Sequence, residues 1–149
     1  MSSLASALDA WRFVEEETSW KQNTSPPEED VPLEAVIEMT RELVSDNFEN
    51  EEPTILRSAF NRAEKFLRAH SRETKKRCGY FPPVPSITPG PKGSADLHWL
   101  QPAWALLVNV PDGDALATFY GESEGGGRIK GNLDPKVWNL GIVTWLSKN

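Results

Sequence analysis

The sequence predicts an α+β fold: N-terminal helices, then a four-stranded antiparallel β-meander with a C-terminal helix packed on it. Apolar residues recur at helical spacing in the first half and alternate with other residues after position 95. The connections between the expected strands are too short for the crossovers that parallel strands require. The 149 residues fit a single domain. Its expected parts are helices over 1–77, a proline-rich connector over 78–94, and the meander with its terminal helix over 95–149.

The first helix is expected over about residues 3–19. A linker over residues 21–30 should follow, because Pro26 and Pro27 break a helix. The second helix should begin near Pro32, since the missing N–H of proline costs little in a first turn. Its apolar face consists of Leu33, Val36, Ile37, Thr40, Leu43 and Val44. We expect the first helix to dock on the second as an antiparallel pair. The alternative is that a partner or a second copy of the chain covers its apolar stripe.

A third helix is expected to begin near Pro53 and Thr54. Its apolar stripe consists of Ile55, Ala59, Ala63, Phe66, Leu67 and His70. Because no apolar residue continues this stripe past Ala69, we expect the helix to fray through Arg72–Arg77. Five prolines in residues 81–91 are then typical of an extended connector.

Alternation with period two predicts four strands beyond the connector. They cover about residues 95–99, 104–110, 115–120 and 128–131. The second strand is mostly apolar and should be central, whereas the fourth is short and half polar and should lie at an edge. The four glycines of Gly121–Gly127 predict a mobile loop. Residues 137–146 are expected to form the terminal helix, with a strand as the alternative because of Gly141.

Composition argues against several classes of protein. No apolar run approaches the ~20 residues that span a bilayer, and the start of the chain lacks the pattern of a signal peptide. A single cysteine, Cys78, allows no internal disulfide framework and is interpreted as a bystander thiol. We therefore expect a cytoplasmic protein that holds no metal and no cofactor.

Two arrangements suggest chemistry, but neither is complete. Asp96 and His98 lie two positions apart on one strand and so face the same side of the sheet, yet two such groups do not make a metal site. The run Gly121–Gly125 matches the letters of a nucleophile elbow around Ser123. The parallel sheet that such a hydrolase needs does not fit into this chain. We assign no catalytic residue and do not expect an enzyme.

Charge is segregated along the chain, whose net charge is −6. Residues 1–52 contain 14 acidic and 3 basic residues, whereas residues 57–77 contain 8 basic and 2 acidic ones. Such asymmetry can steer a charged partner. Alternatively, the acidic and basic helices neutralise each other within the fold.

We expect a non-catalytic protein-binding module, such as an inhibitor, an immunity protein or an accessory factor, that contacts a partner with a basic surface. Its partner-binding residues would be Glu28, Glu29, Asp30, Glu34 and Glu38. The alternative is a nucleic-acid-associated accessory domain that uses the basic stretch 68–77. Its phosphate-binding residues would be Arg68, Arg72, Lys75, Lys76 and Arg77. In that case Tyr80 and Phe81 would stack on bases.

Four short motifs of the meander resemble a group of small bacterial proteins. They are Asp96-Leu97-His98-Trp99, Leu106-Leu107-Val108-Asn109-Val110-Pro111, Phe119-Tyr120-Gly121 and Ile129-Lys130-Gly131. The similarity covers about residues 95–132, roughly a quarter of the chain. The group has no established activity, so the resemblance implies a bacterial origin and a type of domain, but no reaction.

Overall fold

The computed structural model describes residues 31–46 and 53–147. The helix expected over residues 3–19, and its docking on the second helix, lie outside these ranges. The first described part consists of two helices joined by a short parallel strand pair. Its elements are α1 (Val31–Thr40), β1 (Val44–Ser45), β2 (Ile55–Leu56) and α2 (Arg57–Cys78).

A five-stranded antiparallel meander follows, in which each strand pairs with the next one along the chain. Its strands are β3 (Ser86–Pro89), β4 (Ala95–Gln101), β5 (Trp104–Val110), β6 (Ala117–Ser123) and β7 (Arg128–Leu133). The last described element is helix α3 (Leu140–Leu146). The structure is therefore α+β with an antiparallel sheet and a C-terminal helix, and the strand alternative for that segment is wrong.

The sheet has five strands where the sequence predicted four, because part of the proline-rich segment is a strand. Ile87 pairs with Leu97 of β4, and Pro89 is the last residue of β3. Since β3 lies at the edge of the sheet, only one of its sides needs hydrogen bonds, and proline is tolerated there. The predicted positions of the mostly apolar central strand, β5, and of the polar edge strand, β7, are confirmed.

Helix α2 continues to Cys78 and does not fray through Arg72–Arg77, so that prediction is wrong. Thr74 is fully buried although it is polar, because its hydroxyl accepts a hydrogen bond of 3.2 Å from the indole N–H of Trp138. The helix ends at Gly79, whose φ of 88° is the left-handed conformation that favours glycine in a helix cap. Specific polar contacts thus extend the helix beyond its apolar stripe.

The predicted loop Gly121–Gly127 is shorter than expected, because β6 continues to Ser123. Gly121 is buried in the strand, and a Cβ atom there would lie 2.9 Å from Trp145 Cε2 and 2.9 Å from Ile129 Cγ1. This glycine therefore allows α3 to approach the sheet closely, and it is not a loop residue.

The apolar core lies between the helices and one face of the sheet. All six residues of the stripe predicted for the third helix are buried, and so are Trp99, Trp104 and Trp145. Helix α1 adds Leu33 and Ile37 to the same core. Within the described ranges, no helix is long and apolar enough to cross a membrane.

Candidate functional site: the groove between α1 and α2

Helices α1 and α2 run antiparallel to each other. Glu34 of α1 forms an ion pair with Arg68 of α2, while Arg41, just after α1, lies 3.4 Å from a carboxylate oxygen of Glu64. The start of α1 therefore lies near the end of α2. The first turn of α1 is consequently beside the basic half of α2.

A groove of about 320 Å³ lies between these helices and the segment that follows α2. We call it the α1–α2 groove, and its lining residues are Leu33, Glu34, Arg68, Ser71, Arg72, Lys75 and Phe81. Three of them are cations at positions 68, 72 and 75, which share one helix face because they recur at the helical period. Leu33 and Phe81 provide apolar surface beside these charges.

Arg68 is the most strongly paired cation of the groove. Its guanidinium donates two hydrogen bonds, of 2.9 and 3.0 Å, to one carboxylate oxygen of Glu64, and a further one to Glu34. The hydrogen bond from Arg68 lowers the pKa of Glu34, and the bond to Glu34 raises the pKa of Arg68. Both side chains therefore remain charged at neutral pH, and together they reduce the net charge at this end of the groove.

Arg72 and Lys75 differ from Arg68 in their surroundings. The Lys75 ammonium lies 5.4 Å from the centre of the Phe81 ring and donates a hydrogen bond of 3.1 Å to the carbonyl oxygen of Gly79. Arg72 is exposed and forms no ion pair with any residue that the structure describes. The groove thus has a paired end at Arg68 and a cationic end at Arg72 and Lys75, which form no ion pair with a residue in the described part of the chain.

The structure separates the residues that the sequence grouped by charge. Of the predicted basic set, Arg68, Arg72 and Lys75 line the groove. Arg77 instead contacts Glu73, at 3.0 Å, and its guanidinium lies 4.7 Å from the ring of Trp138. Lys76 is exposed outside the groove lining.

Of the predicted acidic set, Glu34 lines the same groove and Glu38 forms an ion pair of 2.9 Å with Arg41. Glu28, Glu29 and Asp30 lie outside the described residues. The ion pair between Glu34 of α1 and Arg68 of α2 confirms that the acidic and basic helices neutralise each other at this position. Sequence reasoning had placed these two residues in different sites, because it could not show that α1 packs antiparallel to α2.

Asp96 and His98 lie on the face of the sheet opposite the apolar core. One carboxylate oxygen of Asp96 accepts a hydrogen bond of 2.7 Å from the amide of Asn109. Burial lowers the pKa of His98, and the charge of Asp96 partly offsets this effect. No group of three or more potential metal-binding side chains occurs among the residues that the structure describes.

A second, larger groove of about 490 Å³ lies on this same face. Its side chains come mainly from β5, β6 and β7 and include Leu107, Asn109, Thr118, Tyr120, Lys130 and Asn132. Tyr120 donates a hydrogen bond of 2.9 Å to Glu122, which raises the pKa of the phenol. Among the described residues of its lining, Lys130 is the one cation, whereas three cations line the α1–α2 groove.

Two further candidate nucleophiles from the sequence are Ser123 and Cys78. The Ser123 hydroxyl accepts a hydrogen bond of 3.0 Å from the N–H of Gly127, within the turn between β6 and β7. A nucleophile elbow joins a strand to a helix, whereas this turn joins two strands. Cys78 is an exposed free cysteine at the end of α2.

No protein-family model, curated protein or solved structure matches this chain.

Proposed function

We propose that this chain is a cytoplasmic, non-catalytic protein-binding module of bacterial origin. Its α1–α2 groove would receive an acidic segment of a partner protein. The observation that supports this most strongly is the position of two cations, Arg72 and Lys75, beside the apolar surface of Leu33 and Phe81. Neither cation forms an ion pair with a described residue. In this role the module would act as an inhibitor, an immunity protein or an accessory factor.

The mixed lining favours a segment that carries both carboxylates and an apolar side chain. Exposed ion pairs each contribute only about 0–1 kcal/mol, so Arg72 and Lys75 would supply orientation and fast association more than affinity. Burial of an apolar partner side chain against Leu33 and Phe81 would add about 25 cal/mol for each Å² removed from water. A purely polyanionic ligand would lack this second contribution.

The acidic surface predicted from the sequence receives less support from the geometry. Glu34 and Glu38 are already paired with Arg68 and Arg41, which reduces the negative field they present to a partner. Steering of a basic partner by the remaining acidic residues stays a prediction. The groove is therefore the better candidate for the contact.

Nucleic-acid binding is the alternative function, and the pairing within α2 limits it. Arg68 and Arg77 already contact carboxylates, which leaves Arg72, Lys75 and Lys76 for phosphates. Three phosphate contacts on a single strand imply a slope of about −2 when log affinity is plotted against log salt concentration. Proteins that neutralise about 6–10 phosphates have much steeper slopes.

Fluorescence anisotropy with a labelled probe peptide, rich in Glu and containing one central Leu, tests the proposed function. In the double variant Arg72→Gln with Lys75→Gln, we expect the affinity to fall about tenfold, which corresponds to about 1.4 kcal/mol. The control, Lys65→Gln with Lys136→Gln, removes the same charge at exposed residues outside the groove and should change affinity less than about twofold.

Two results would contradict the proposal. Equal losses of affinity in both double variants would mean that only net charge matters, and absence of peptide binding to the wild type would reject the groove as a site for acidic segments.

Titration of a single-stranded oligonucleotide at several salt concentrations tests the alternative function, nucleic-acid binding. Tight binding with a slope steeper than about −4 would favour nucleic acid over protein as the partner.

A further inference from the structure

A small cavity of about 10 Å³ adjoins the α1–α2 groove, and Leu33 and Ser71 line both. The other residues of its lining are Leu67 and His70 of α2 and the residues from Pro82 to Pro85. A volume of this size is about the minimum that one water molecule needs. The cavity therefore has no room for the several waters that would hydrate a charged side chain.

His70 is the titratable residue of this lining, and its surroundings suit the neutral imidazole. The residue is 3% exposed, and neither ring nitrogen has a hydrogen-bond partner among the described residues. Phe66 stacks on the ring, and Trp99 packs against it edge-on. Burial lowers the pKa of His70 to about 4. A proton on this ring would create a buried charge without a partner, which is costly.

The charged groups on the elements around His70 are paired elsewhere, lie on another face or are exposed. Glu34 pairs with Arg68, and Glu73 pairs with Arg77. Asp96 and His98 alternate with Trp99 along β4 and so lie on the other face of the sheet. The residues from Pro82 to Pro85 have no ionisable side chain. The remaining ionisable residues of α1 and of positions 65–75 are exposed, namely Glu38, Lys65, Arg72 and Lys75.

The segment that covers the cavity is held by fewer hydrogen bonds than the helices are. We call residues 81–85 the proline segment, because three of the five are prolines, which have no backbone N–H to donate. The indole N–H of Trp99 donates a hydrogen bond of 2.8 Å to the carbonyl oxygen of Pro83 and so ties this segment to the sheet. Detachment of the proline segment therefore breaks fewer hydrogen bonds than displacement of α2, a helix of 22 residues.

We propose that protonation of His70 releases the proline segment from α2 and so removes one wall of the α1–α2 groove. Release admits water to the imidazolium, which the closed arrangement excludes. Phe81 directly precedes Pro82 and lines the groove, so it moves with the segment. Lys75 then loses the aromatic ring that lies 5.4 Å from its ammonium. The groove is complete only while His70 is neutral.

The release itself does not depend on the proposed function, whereas its effect on partner binding rests on that function. A partner that binds the complete groove stabilises the closed segment. By linkage, the same partner makes His70 harder to protonate. Acid and partner therefore act on the proline segment in opposite directions.

Hydrogen exchange of the Trp99 indole N–H, followed by NMR, tests the release. The protection factor compares the observed exchange rate with that of a free indole at the same pH. His70 titrates at its ordinary pKa of 6.5 when released and at about 4 when closed. The protection factor should therefore fall about 70-fold between about pH 7.5 and pH 4.5. The amides of β5, which lies at the centre of the sheet, should stay better protected than Trp99 at each pH, because they exchange by global unfolding.

The two histidines of the chain provide matched variants. His70→Leu should abolish the pH dependence of protection at Trp99, whereas His98→Leu should retain it. A wild-type protection factor that does not change with pH, or the same behaviour in both variants, would overturn the proposal. So would equal protection of Trp99 and the β5 amides at every pH, because the segment would then open only with the whole fold. NMR titration of the His70 ring in the wild type needs no variant, and a transition at pH 6.5 without any change at Trp99 would also overturn it.

The acidic probe peptide tests the link to the groove. At about nine times its Kd, and at about pH 7.5, the peptide should raise the protection factor of the Trp99 indole N–H about tenfold. Unchanged protection despite peptide binding would overturn the link between the groove and the proline segment. A peptide that does not bind would reject the proposed function, while exchange in the free protein would still decide whether His70 controls the segment.

Discussion

The two sides of α2 are held by different kinds of contact. Its inner side buries Phe60 and Leu67 in the same apolar core as Trp99 of the sheet, and each of these side chains is at most 2% exposed. Its outer side carries ion pairs such as Arg68 with Glu34, whose side chains are 35% and 54% exposed. Full burial of a large apolar side chain contributes about 1.5–3 kcal/mol, whereas an exposed ion pair contributes about 0–1 kcal/mol.

From this difference we expect the fold to depend little on the charges that line the groove. Helix α1 is anchored by Leu33 and Ile37, which are buried in the core beside α2. We therefore expect substitutions of the groove cations to cost little stability. Four changes on the two sides of α2 and in the sheet test this separation.

The largest effect is expected at Trp99, which is 1% exposed and donates a hydrogen bond of 2.8 Å from its indole N–H to the carbonyl oxygen of Pro83. Replacement by alanine leaves a cavity and removes this bond. We expect Trp99→Ala to lower the free energy of unfolding by about 3–5 kcal/mol, measured by urea denaturation. A loss below about 1 kcal/mol would contradict the position of the core.

A pH-dependent effect is expected at His70, which stacks on Phe66 and touches the edge of Trp99. Neither ring nitrogen has a described hydrogen-bond partner, and burial lowers the pKa of His70 from 6.5 to about 4. The unfolded chain therefore binds a proton more readily than the folded one between these two pH values. Stability contributed by the neutral ring is complete above pH 6.5 and is lost as pH falls toward 4.

The expected loss over this range is about 3 kcal/mol. It can be measured as the difference in pH dependence between the wild type and His70→Leu, since His98 and the carboxylates titrate in both proteins. Parallel stability curves for the two proteins would mean that His70 is accessible to protons in the folded state.

A smaller effect is expected at Gly121, where a Cβ atom would press on Trp145 and Ile129. Gly121→Ala should lower the free energy of unfolding by about 1–3 kcal/mol, because the packed core has no room for the added methyl group. Gly125 is the matched control, since a Cβ there meets no atom within 4 Å. Equal melting temperatures for the two alanine variants would show that α3 does not pack closely on β6.

The smallest effect on stability is expected at Arg68. Arg68→Gln removes the ion pairs with Glu34 and Glu64 but should lower the free energy of unfolding by less than about 1 kcal/mol. The difference should shrink further in ~1 M salt, which screens exposed charges. A loss of several kcal/mol would mean that these charges hold α1 in place. It would contradict the expectation that the apolar core alone anchors this helix.

Much of the core was predictable from the sequence, because its signals are local and periodic. The stripe of α2 and the alternation in β4 and β5 identified the buried residues. The edge strand β3 was missed, since Ile87 is its only core residue and gives no alternation. The end of α2 was missed because it depends on Thr74 and Trp138, which are 64 residues apart in the chain.

The groove was predictable only in part. The spacing of Arg68, Arg72 and Lys75 indicates a shared helix face, and sequence reasoning named all three. It could not show that Glu34 pairs with Arg68 or that Lys75 lies against Phe81, because both contacts depend on how separate elements pack together. Likewise, Gly121 was assigned to a loop, because its contact with Trp145 of α3 is not visible in the local pattern.

Amide chemical-shift mapping by NMR, with the acidic probe peptide titrated into the full chain, tests the central claim most directly. We expect the largest shifts at residues 33–34, along residues 68–75 and at Phe81, which together surround the α1–α2 groove. Shifts concentrated instead around Leu107, Tyr120 and Lys130, which line the groove on the sheet, would contradict it. So would a spectrum that the peptide leaves unchanged.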